Sequence, residues 1–286
     1  DLAGSAYNVA GGTTLQFGAN RSIAGNIAGT GNVSFISPGL SYALSGDYNI
    51  SGATQMSLAC CTASSVSFTG TVTNAGTSIT NSGGWGAIDF TGITGGQATG
   101  FANLTSINND ANLTFKAGTV FTGLTSVTQA AGTLNLGTVP ITLNSLTVSN
   151  GTLTGSGGIT IPTAGTLNWS GGTIDGTAAA TLTTAAGSTV NVAAGALGAN
   201  RTWNNSSTIT KTVTACCSGF TVNGTLNNLS GGVFILNDSA GSVTNSILGS
   251  GTYNNYGELR KILNSTVVSS SILPVFNNQA TGVVNL

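Results

Sequence analysis

The stretch Gly151-Thr152-Leu153-Thr154-Gly155-Ser156-Gly157-Gly158-Ile159-Thr160, with Gly165-Thr166-Leu167-Asn168-Trp169-Ser170-Gly171-Gly172-Thr173-Ile174-Asp175-Gly176 after it, decides the fold. Its apolar residues alternate with small polar ones, as in Leu167 and Trp169, which is the period-two pattern of a strand with one buried face. Glycines cut each run short, so no single run can bury its face alone. Versions of the Gly-Thr-apolar phrase begin at Gly118, Gly132, Gly151, Gly165, Gly224 and Gly251, and Gly187-Ser188-Thr189-Val190-Asn191-Val192 is a variant. From Gly132 the phrase returns after 19, 14 and 22 residues, at Gly151, Gly165 and Gly187, and the step of 37 to Gly224 corresponds to two turns, so the unit is near 20 residues. Asn-Asn pairs start at Asn204, Asn227, Asn254 and Asn277, so a second ruler gives a similar period.

Short strands recurring at a fixed period must coil and stack to bury their apolar sides. The sequence therefore predicts an all-β chain folded as a parallel β-helix (β-solenoid) of about 14 rungs of about 20 residues. No composition break divides it, so a single domain over residues 1–286 is expected, with 1–37 the least regular part. Val, Ile, Leu and Ala suit a narrow interior, and Gly at the corners supplies positive φ. Asn204, Asn227, Asn254 and Asn277 are expected to stack as an internal amide ladder. The run from Gly257 to Asn264 is expected as strand rather than helix. Asn150-Gly151, Asn223-Gly224 and Asp175-Gly176 are hairpin signals and keep an antiparallel sandwich or barrel in play.

Composition narrows function by exclusion. Of 286 residues only 6 are Lys or Arg and 7 are Asp or Glu, with a net charge of −1 and no His. Six scattered cations cannot neutralise a run of phosphates, so neither nucleic acid nor an anionic membrane surface is an expected partner. Mean hydropathy is +0.28, yet Gly, Thr or Asn soon interrupts every apolar run, and no transmembrane helix is available. Without His, the Ser–His and Cys–His nucleophile schemes fall together. Neither a cofactor nor a metal site is expected, because seven acids cannot furnish one calcium ligand per rung.

Carboxylates are the one remaining route to catalysis. Asp89 and Asp110 are separated by about one rung and could stack as the paired acids of a polysaccharide-cleaving β-helix, although turn roles are the blander reading. The cysteines come as two adjacent pairs, Cys60-Cys61 and Cys216-Cys217, far apart in the chain. Their separation is seven or eight rungs, roughly 35 Å, too far for a disulfide between the pairs or a four-Cys zinc site. Free thiols or bonds between neighbours remain for Cys60, Cys61, Cys216 and Cys217. Thr-x-Thr pairs such as Thr152/Thr154, Thr181/Thr183 and Thr208/Thr210 raise ice binding, but they do not recur once per rung along the sequence.

The Gly151–Gly176 stretch quoted above, together with Asn200-Arg201-Thr202-Trp203-Asn204-Asn205, Tyr253-Asn254-Asn255-Tyr256-Gly257 and Phe276-Asn277-Asn278, resembles the repeats of bacterial secreted β-helix surface proteins. The likeness is to filamentous-haemagglutinin-like and autotransporter-passenger adhesins, and it covers about residues 118–286. It implies a right-handed parallel β-helix and an extracellular or cell-surface stalk, adhesin or filament without catalysis. The likeness carries over no ligand; since neither Asp1-Leu2-Ala3-Gly4 nor Val283-Val284-Asn285-Leu286 reads as a cap and charge is low, other copies stacked end to end are an expected partner, beside surface glycans or a host surface. The opening at Asp1, without an initiator Met or an apolar leader, is expected for a processed or excised segment. The competing expectations are a polysaccharide-active enzyme and an ice-binding solenoid on the same fold.

Overall fold

The structure, a computed structural model, describes residues 3–36, 39–57, 63–84, 86–212, 219–238, 246–263 and 270–285. Among these there is no helix, and the strands stack as a β-solenoid of about 11 turns. Each turn passes through up to three short strands, one per face, and a strand pairs with its counterpart about one turn later in the chain. The pairings are parallel, as at Leu146↔Leu167 and Leu167↔Val190, which removes the antiparallel alternative. The Asn-Gly and Asp-Gly signals sit at corners instead. Gly151, at φ +67°, donates its N–H to Asn150 Oδ1 at 2.8 Å between strands Ser145–Val148 and Thr152–Thr154. Turn chemistry that closes a hairpin serves equally to bend a coil between faces.

The rungs are fewer than expected because several turns are longer than the sequence period suggests. Thr14 pairs with Asn32 across a short turn, whereas Ser78 pairs with Ser106 across a much longer one. In the C-terminal part Thr189 pairs with Thr208, but the next turn, from Thr208 to its partner Val233, is again longer. In the turn from Ser78 to Ser106 the extra residues lie mostly between strands Gly86–Asp89 and Ser106–Asn109, and the ladders on either side keep their register. The run after Gly257 forms strand Glu258–Leu263, as its repeat context predicts.

The chain forms two compact units, Asp1–Ile141 and Thr142–Leu286. In the first, strands are paired from Ala6–Val9 onward, and inward residues such as Val9, Phe17 and Ile23 are buried. Its interior is more aromatic than the aliphatic composition suggests. Phe17 stacks on Phe35 at 5.4 Å, and Phe68, Phe90 and Phe115 form a second stack at 4.3 and 5.4 Å, with Phe101 and Phe121 edge-on to it. Offset stacks and edge contacts are the arrangements that aromatic quadrupoles favour. In the second unit the inward columns are Leu182–Trp203–Leu226–Tyr253–Phe276 and Leu167–Val190–Ile209–Phe234–Leu259.

Candidate functional site: amide and threonine rows of the C-terminal unit

The face built from Ala180–Thr184, Arg201–Asn205, Thr225–Asn228, Thr252–Asn255 and Val275–Asn278 gathers most of the residues singled out by sequence. Side chains alternate across these strands, so the two members of each Asn-Asn pair go to opposite sides. Asn204, Asn227, Asn254 and Asn277 stack from turn to turn, but on the outside. Asn227 Nδ2 donates to Asn204 Oδ1 at 2.8 Å, Asn254 to Asn227 at 2.9 Å, and Asn277 to Asn254 at 2.9 Å. The expected ladder is present in these residues, and its position is the correction.

The internal ladder belongs to their neighbours. Asn205 Nδ2 donates to Asn228 Oδ1 at 2.8 Å, Asn228 to Asn255 at 2.9 Å, and Asn255 to Asn278 at 2.8 Å. Asn205, Asn228 and Asn255 are fully buried. Their orientation is fixed by the backbone, since Asn205 Nδ2 also reaches the Ser207 carbonyl while its Oδ1 accepts the Ser207 N–H. The inner row donates toward later turns and the outer row toward earlier ones. Thr184 Oγ1 begins the inner row by donating to Asn205 Oδ1 at 2.7 Å, and it accepts the Trp203 indole N–H at 3.0 Å. Sequence alone carried the signal for this assignment: Trp203, Leu226, Tyr253 and Phe276 lie two positions before the second Asn and share its side. A similar buried row, Asn81–Asn109–Gln129, runs through the N-terminal unit.

Beside the outer amides runs a row of threonines. Register pairs Thr181 with Thr202, Thr202 with Thr225 and Thr225 with Thr252, once per turn. Thr183 sits in line with Asn204 and continues the amide column. The regular array that no Thr-x-Thr spacing revealed therefore exists, as Thr-x-Asn, because register and not motif recurrence sets the column. Rows are separated by about 4.8 Å between turns and by about 6.7 Å along each strand. Asn227 and Asn254 each use one N–H and one oxygen lone pair in the row, which leaves one N–H and one lone pair for another molecule.

The charged groups are dispersed. Asp89 pairs in register with Thr114, not with Asp110, which lies at the preceding corner. Asp89 Oδ1 accepts the Thr91 N–H at 2.7 Å, as a turn residue does. The sequence spacing misleads because that turn is longer than the average rung. Arg201, fully buried, spends its guanidinium N–H groups on backbone carbonyls of Gly155, Gly157, Asp175 and Thr181. Burial lowers its pKa to about 10, partly opposed by the Asp175 charge. Lys211 also takes an inward position, between Val192 and Leu236, and is buried. Sequence reasoning missed both cations, although Arg201 lies two positions before Trp203 and Lys211 two after Ile209 and each shares that neighbour's side. Glu258 and Arg260 form a bidentate pair at 2.8 and 2.6 Å on the outer surface. Among the described residues no cluster of three or more Cys, Asp or Glu gathers, and no helix is long and apolar enough to cross a membrane. Cys60, Cys61, Cys216 and Cys217 lie outside the described residues.

Comparison with family profiles, with curated protein sequences and with solved structures gives no match.

Proposed function

We propose that this chain is a non-catalytic structural and adhesive β-solenoid of the bacterial cell surface, and that it holds repetitive, hydroxyl-rich surfaces through its outward Thr and Asn rows. The observation that carries this reading is the pair of in-register columns, Thr181–Thr202–Thr225–Thr252 beside Thr183–Asn204–Asn227–Asn254–Asn277. The amides of the second column hold one another in place, so little side-chain entropy remains to be lost on binding. Low charge suits a neutral partner, and a repeating ligand gains from many weak contacts made at once.

Beads coated with the protein test this directly. They are expected to adhere to neutral polysaccharide surfaces or to cells, and Thr202→Glu with Thr225→Glu is expected to reduce adhesion at least fivefold. Absence of adhesion, or adhesion indifferent to the double change, overturns the reading. The same threonine column favours ice as a second ligand class, and arrest of ice growth by the purified protein, lost in the double variant, would replace the first reading with that one.

A further inference from the structure

The corner that follows the Asn-Asn strands changes length from turn to turn. Ser206 and Ser207 alone join Arg201–Asn205 to Thr208–Thr212, and Tyr256 and Gly257 alone join Thr252–Asn255 to Glu258–Leu263. The equivalent corners at 229–232 and 279–282 are twice as long. The long corners are tight turns closed by Gly232 N–H to Leu229 O and Gly282 N–H to Gln279 O, each at 2.8 Å. Between them the short Tyr256-Gly257 corner is recessed. The result is a notch of about 490 Å³ lined by Ser206, Asn227, Leu229, Ser230, Tyr256 and Thr281.

We infer that this notch binds one ring of a neutral saccharide, with the sugar stacked on Tyr256. The inference rests on the adhesive reading above and names its ligand. Its walls are two turns apart, about 10 Å centre to centre, a width suited to a single six-membered ring. The lining contains no charged side chain, which disfavours phosphorylated or carboxylated ligands. Tyr256 is the one aromatic residue among the described large apolar side chains that stands exposed, at 38%, while the other rings of this unit turn inward. An aromatic face offers the apolar C–H side of a pyranose a flat partner, and the phenol supplies a polar edge. The Asn227 amide and the hydroxyls of Ser206, Ser230 and Thr281 can both donate and accept, which matches the dual character of sugar hydroxyls. Thr281 Oγ1 donates to the Tyr256 carbonyl at 2.8 Å and ties one wall to the floor. The outer amide row passes through Asn227, so a chain held in the notch can continue along that row.

The test is titration of the full chain with cellotetraose, chitotetraose, mannotetraose and galactotetraose, read by saturation-transfer NMR and calorimetry. Saturable binding of at least one of these is expected, with ring protons of a single sugar unit closest to the protein. Tyr256→Ala should weaken it at least tenfold, Tyr256→Phe by threefold or less, and Thr281→Trp should block it by filling the notch. Unchanged circular dichroism and thermal midpoint verify that each variant is folded. No binding by the unaltered protein, or binding that Tyr256→Ala leaves intact, overturns the inference. If bead adhesion persists and responds to Thr202→Glu with Thr225→Glu while the notch binds nothing, the sugar site alone fails. If adhesion is absent as well, the adhesive reading fails with it.

Discussion

Replacing Asn228 by Ala strips the inner ladder at its middle. It leaves the Asn205 amide, the Asn255 side-chain oxygen and the Gly232 and Glu258 carbonyls short of a partner beside the buried ladder. Each buried orphan costs about 1–3 kcal/mol, with partial relaxation, so Asn228→Ala should lower unfolding stability by about 3 kcal/mol in a denaturant titration. Asn227→Ala, at the neighbouring position on the wet side, should cost under about 1 kcal/mol because water replaces the lost bonds. Alkaline pH tests a second set of buried groups. Tyr48 and Tyr253 are buried and desolvation raises both phenols above their ordinary value of 10.0. The unfolded chain gives up these protons first, so the stability they provide is complete below pH 10 and drains away as pH climbs beyond it. Arg201 acts in the opposite sense, because its pKa falls from 12.5 to about 10 on folding and the unfolded chain holds more protons between those values. With two phenols against one guanidinium, the denaturation midpoint should fall above pH 10, and Tyr48→Phe with Tyr253→Phe should flatten that fall. At this scale the sequence disclosed that amides would stack. It concealed which member of each pair faced inward until parity with Trp203 and Tyr253 was applied.

The corners set the limits of a single turn. Gly251 lies against the Gly224 carbonyl of the preceding turn, and a Cβ added to Gly251 would overlap that oxygen. Gly46 and Gly70 make the same approach, Gly46 to the Gly25 carbonyl and Gly70 to the Gly46 carbonyl. Their role is close passage of backbone over backbone, which differs from the positive φ that the sequence suggests for corner glycines. Gly251→Ala is therefore expected to cost about 2–4 kcal/mol in thermal or chemical unfolding, with no relief from side-chain repacking because the obstacle is main chain. Alternation at Leu167/Trp169 and Val190/Val192 made the strands legible. Rung length was not, since turns absorb insertions at 229–232 and 279–282 while strand register is kept. The stacking of Phe68, Phe90 and Phe115 escaped notice for the same reason: they meet only once variable turn lengths are known.

Across the chain, each compact unit is held by ladders between neighbouring turns, so stability is expected to accumulate turn by turn rather than around a central core. Val275 at 61% and Val283 at 55% stand exposed on outward positions, in register with Thr252 and Glu258. Exposed apolar side chains favour self-association, and a net charge of −1 supplies little repulsion against it. Val275→Lys with Val283→Lys should raise the concentration at which the protein remains monomeric by light scattering, with little change in unfolding midpoint. The twin amide rows carry one more implication. Hydrogen-bonded amides polarise one another in a chain, and a single long row would build up a dipole whose ends attract compensating ions. Here the buried row and the surface row point in contrary directions, so the net dipole along this face is smaller than two aligned rows would build.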